Sequence, residues 1–101
     1  MDMNTDLSDK ESVKKRKSKA DIARRKEIND LKTVLSKPEG RRVFWKMLSH
    51  CNVFGSIFNQ NNAVMSKNAG KQDVGHFIMA EIVEADENLY ISMMKENKEG
   101  N

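Results

Sequence analysis

The side chains able to do chemistry are few and scattered. His50 and Cys51 are neighbours in sequence, so on a helix they point about 100° apart, and His76 lies far along the chain with no second cysteine and no regular histidine spacing. That pattern does not make a metal site, and nothing local forces Cys51 and a histidine into a nucleophile and base pair. Glu81, Glu84, Asp86 and Glu87 form an acidic cluster. Paired carboxylates do acid/base work when their surroundings separate their affinities for protons. Here Glu81 and Glu84 fall opposite the local apolar stripe, Asp86 suits a helix cap, and Glu87 suits a first helical turn, so a structural reading is better. Gly70 and Gly75 lack the spacing and the Lys-Ser/Thr ending of a phosphate-cradling loop. The expectation is a protein without catalysis, bound metal or cofactor.

The strongest electrostatic feature is basic. Residues 10–26 hold nine Lys or Arg against Glu11 and Asp21, a local balance of +7, whereas from residue 41 onward seven Lys or Arg meet seven Asp or Glu. Dense cations attract phosphates by releasing condensed counterions, which makes Lys14, Lys15, Arg16, Lys17, Arg24 and Arg25 candidate phosphate contacts. No aromatic residue interleaves them, so base stacking of the single-strand-binding kind has no support. A solubilising tail, a non-specific contact with nucleic acid and a contact with an acidic protein all fit this composition.

These residues must be positioned by a small fold. The chain has 101 residues and one cysteine, so a single small core without an internal disulfide is expected, in keeping with a reducing cytosol. No apolar run approaches the ~20 residues that span a bilayer, and no secretory signal is visible at the N-terminus. The expected product is soluble and not exported by that route, with no membrane partner.

Residues 1–18 read as a disordered basic arm, because Met1, Met3, Leu7 and Val13 are too sparse to bury. Residues 19–35 read as an amphipathic helix, with Ile28, Leu31 and Leu35 on one face and Ile22 near its start. Residues 36–98 read as a small helical domain. Its boundary is Ser36-Lys37-Pro38-Glu39, where Ser36 and Glu39 have the spacing of a reciprocal capping box. A helix from Pro38 to Cys51 places Val43, Phe44, Met47, Leu48 and Cys51 on one face as half of the core, while Trp45 is either a wedge at the core edge or an exposed anchor.

Residues 52–68, rich in Asn and containing Gly55, predict turns, with Phe54, Ile57 and Phe58 forming a short turn against the core. A third helix is expected to start between Ser66 and Gln72 and run to Ala85, with Val74, Phe77, Ile78, Ile82 and Ala85 in register. Gly75 inside it suggests the close approach of another helix backbone. Asp86 caps a last helix over Glu87 to Lys98, turning Leu89, Tyr90 and Met93 inward, and Gly100 and Asn101 finish it. The fold class is therefore all-α: about three core helices preceded by an amphipathic helix and the arm.

The run Gly40-Arg41-Arg42-Val43-Phe44-Trp45-Lys46-Met47-Leu48-Ser49-His50-Cys51, followed by Asp73-Val74-Gly75 and Glu81-Ile82-Val83-Glu84-Ala85-Asp86, resembles the Bbp19-like family of small phage proteins. The resemblance spans about Ser36 to Lys95 and leaves the arm outside. It implies a phage or prophage origin and an association with virion-assembly genes, and it supplies no active site. Arg41 and Arg42 stand in the first turns of a helix, where cations are disfavoured, and with Trp45 they form a candidate partner contact. Pairing of these arginines with Glu81, Glu84 or Glu87 would satisfy them equally well. The functional expectation is a helical interaction protein of virion assembly or structure, with phage structural or assembly proteins as partners and self-association open. The alternative is a nucleic-acid-associated or host-regulating phage protein that binds through the arm.

Overall fold

The computed structural model describes residues 3–99, with side chains from Ser8 to Lys98. Four helices follow one another: α1 (Met3–Leu35), α2 (Pro38–His50), α3 (Asn62–Ala85) and α4 (Glu87–Glu99). No strand occurs among the described residues, in agreement with the all-α expectation. None of these helices is long and apolar enough to cross a membrane. The expected ends of the chain, Met1 on the arm and Gly100 and Asn101 after the last helix, lie outside the described residues.

α1 corrects one expectation. It reaches back to Met3, so residues 3–18 are helical where the sequence predicts no fixed structure. Its composition supports this: residues 3–35 contain neither Gly nor Pro, and they hold seven Lys and three Arg, both good helix formers. From Ser8 to Ala23 this helix is not packed: every residue there is exposed, and Ile22 is 61% exposed. Lack of burial was correctly legible there, but lack of burial does not forbid a helix. Further along, Ile28 and Leu31 are half-buried and Leu35 is fully buried, as the narrow stripe predicts.

The α1–α2 turn is built differently from the expected capping box. Lys37, ahead of Pro38, is extended (φ −102°, ψ 139°) and forms the N-cap without a side-chain hydrogen bond. The Ser36 hydroxyl donates backward to the Thr33 carbonyl at 2.7 Å, so it serves the end of α1 and is not available to α2. Gly40 sits directly over this corner: a Cβ there would collide with the Val34 carbonyl.

α2 ends in a Schellman motif. Asn52 takes the left-handed conformation (φ 54°), its N–H donates to Ser49 O at 3.0 Å, and the Val53 N–H donates to Leu48 O at 3.4 Å. The following Asn-rich segment is strapped down by side chains of α3: Gln72 Nε2 donates to the carbonyls of Asn52 (2.9 Å) and Gly55 (3.0 Å). α3 begins at Asn62, earlier than expected, because Asn61 Oδ1 accepts the N–H groups of Ala63 (2.9 Å) and Val64 (3.2 Å). Asp86, extended between α3 and α4, accepts the Asn88 N–H at 2.9 Å, which fulfils its predicted cap role.

Each helix contributes one fully buried side chain to the core: Leu35, Leu48, Ile82 and Met93. Leu31, Phe44, Trp45, Val53, Ile78, Met79, Leu89 and Tyr90 pack around them. Burial of such side chains supplies about 1.5–3 kcal/mol each. Gly75 is also buried, but what approaches it is the side chains of Cys51 and Val53 from the end of α2, not a helix backbone.

The core is smaller than the apolar periodicity predicts. Val43 (58% exposed), Met47, Val74 and Phe77 (64% exposed) belong to the predicted inward faces of α2 and α3, yet they lie open. The two helices turn only one edge of each stripe toward the centre, through Leu48 and Phe44 on α2 and through Ile82 and Ile78 on α3. Phe58 also fails to pack on the core, at 73% exposed.

Candidate interaction surface

The exposed halves of these stripes form one side of the molecule. A groove of about 470 Å³ between α1, α2 and α3 has an apolar floor of Leu31, Val34, Phe44, Phe77 and Ile78. A second depression of about 390 Å³ is lined by Met47, Cys51, Val74 and Ile78, with Lys46 and His50 beside it. Ile78 belongs to both, so the two hollows adjoin. Together they make a hydrophobic face rimmed by charge, the form of a surface that binds another macromolecule.

The rim of the larger groove contains an ionic node. Arg24 Nη1 donates to Glu27 Oε2 at 3.0 Å, and Arg24 Nη2 lies 2.7 Å from Glu81 Oε2 and 2.6 Å from Glu84 Oε2. These carboxylates, Glu84 foremost, push the Arg24 guanidinium further above its already high pKa. Two members of the acidic cluster, Glu81 and Glu84, thus tie α1 to α3, a structural role that the sequence reading does not assign to them. Arg24 is correspondingly committed, which sets it apart from the other candidate phosphate contacts. Lys14, Lys15, Lys17 and Arg25 are exposed and enter no ion pair among the described residues, and Arg16 Nε donates only to the Ser12 carbonyl at 3.4 Å.

The three residues of the candidate partner contact separate. Arg41 is largely buried: Nη1 donates to Leu35 O at 2.9 Å and Nε to Glu96 Oε1 at 2.8 Å. Its partner is therefore Glu96 on α4, a residue the sequence offers no reason to choose, and not Glu81, Glu84 or Glu87. Trp45 is half-buried against the core and stacks on Phe54 with ring centroids 5.1 Å apart and planes at 26°. This is the wedge of the two positions open to it. Of these three, Arg42 alone is exposed, and it enters no ion pair among the described residues.

His50 and His76 are both exposed, and Cys51 is half-buried. No group of three or more His, Cys, Asp or Glu able to hold a metal ion occurs among the described residues. The apolar face was missed as an open surface, although a signal existed: α3 carries Val64, Met65, Val74, Phe77, Ile78, Met79, Ile82 and Val83, more apolar area than one narrow stripe needs.

No curated protein and no solved structure matches the chain. A family model described as Bbp19-like phage protein matches residues 31–95, which covers the end of α1, all of α2 and α3, and most of α4. The matched region contains the whole four-residue core and the apolar face, while the exposed basic part of α1 lies ahead of it. On that match, the chain belongs to the Bbp19-like phage protein family.

Proposed function

We propose that the protein is a non-catalytic interaction protein of phage particle assembly or structure, which works by binding other phage proteins in the host cytoplasm or the virion. The observation that carries this reading is the apolar face of α2 and α3, where Val43, Met47, Val74 and Phe77 stay exposed beside a core that has, among the described residues, four fully buried large side chains. An unburied surface of this kind is costly in water and is the usual mark of a binding site. Membership of a phage family supplies the biological setting.

The test is quantitative mass spectrometry of purified particles and, separately, of the soluble lysate of infected cells. A fixed copy number per particle is expected for a structural component, and abundance during assembly with loss from the finished particle for an assembly factor. A second reading, a nucleic-acid-associated or host-regulating protein, is favoured by the unpaired cations on exposed α1. It expects affinity for DNA or RNA that falls steeply with salt, whereas a contact through Phe77 and its neighbours is far less salt-sensitive.

A further inference from the structure

We infer that the apolar face of α2 and α3 is covered by a second copy of this chain, in a two-fold dimer. This deepens the interaction reading above, on which it rests, by naming the first occupant of the face.

The first support is area. The chain exposes 7942 Å², whereas a compact monomer of 11.6 kDa exposes about 5,800 Å². The projecting half of α1 and the open face both contribute to the difference. A stable dimer takes about 800 Å² from each partner, and only the part of the excess on the α2–α3 face, around Val43, Met47, Val74 and Phe77, is available to it.

The second support is charge. The groove over Leu31 and Phe77 has an acidic rim, with Glu27, Asp30 and Glu81 against the single cation Arg24. The adjoining depression over Met47 and Val74 is bordered by Lys46 and His50. Asp30 and Lys46 are both exposed and enter no ion pair among the described residues. The face therefore has an acidic end and a basic end, joined at Ile78. A two-fold axis near Ile78 brings the basic end of each copy onto the acidic end of the other, so that Lys46 meets Asp30 twice. An apolar centre with complementary charges at its edge is the arrangement an isologous interface requires. The exposed part of α1 is predominantly basic, with its carboxylates Asp9, Glu11 and Asp21 dispersed among more cations, so two copies of it repel on balance.

Sedimentation equilibrium of the purified full chain in reductant, across a concentration series, tests this. The expected result is a reversible dimer. Phe77→Asp, and separately Val74→Lys, should weaken association by about tenfold or more while leaving the helical circular dichroism unchanged, since both side chains are over half exposed. Lys46→Glu should weaken it less, and adding Asp30→Lys should restore it. A wild-type chain that stays monomeric throughout, a dimer indifferent to Phe77→Asp and Val74→Lys, or a Lys46→Glu/Asp30→Lys pair that is no better than Lys46→Glu alone would each overturn the proposal. Because the purified chain is measured alone, its failure leaves incorporation into particles to be decided separately by mass spectrometry.

Discussion

Arg41 and Glu96, 55 positions apart, meet at 2.8 Å, and the same guanidinium donates to the carbonyl of Leu35 at 2.9 Å. One side chain at the start of α2 therefore closes the end of α1 and holds α4 in place. A cation in the first turn of a helix is poorly placed with respect to that helix's own dipole, but well placed against the negative end of α1. Arg41→Ala is expected to destabilise the fold by about 1–3 kcal/mol, since it removes charge-assisted bonds and leaves a carbonyl unpaired. Glu96→Gln, at a more exposed partner, should cost less than about 1 kcal/mol. Urea unfolding followed by circular dichroism measures both.

The glycines make a sharper contrast. A Cβ at Gly40 meets the Val34 carbonyl, which is backbone and cannot swing aside, whereas a Cβ at Gly70 meets nothing within 4 Å. Gly40→Ala should cost at least about 1–3 kcal/mol through overpacking. Gly70→Ala, in the interior of α3, should stabilise by about 0.5–1 kcal/mol through helix propensity. Thermal unfolding midpoints moving in opposite directions would establish the difference.

Leu48 and Phe77 both belong to apolar faces that periodicity turns inward, yet only Leu48 is buried. Leu48→Ala is expected to lose about 2–5 kcal/mol, while Phe77→Ala in dilute solution should change stability by no more than about 0.5 kcal/mol. Equal losses at the two positions would mean that Phe77 lies in a core.

Deletion of residues 1–18 removes only part of α1, and from Ser8 onward those residues are exposed. The denaturation midpoint should shift by less than about 0.5 kcal/mol equivalent. The far-UV helical signal should fall in proportion to the helical residues removed. A shorter chain that keeps the full signal would return these residues to the unstructured arm that their composition suggests.

Helix identities and most boundaries follow from local chemistry, and so were readable in order along the chain. Pro38 must open a helix, Asp86 must separate two, and the pairs Leu31 and Leu35, Phe44 and Leu48, Ile78 and Ile82, and Leu89 and Met93 recur at helical spacing because a helix buries one side. Family membership was likewise visible in the run from Gly40 to Cys51, which lies inside the matched region. Periodicity records which residues share a face, but says nothing of how many neighbours cover it. With four helices and so short a chain, α2 and α3 can hide only part of their apolar sides, so tertiary packing decided that Leu48 and Ile82 are buried while Val43 and Phe77 are not. Packing also decided the long-range pairs, Arg24 with Glu81 and Glu84 and Arg41 with Glu96, because a charge constrains its partner's sign but not its position until two helices are brought side by side.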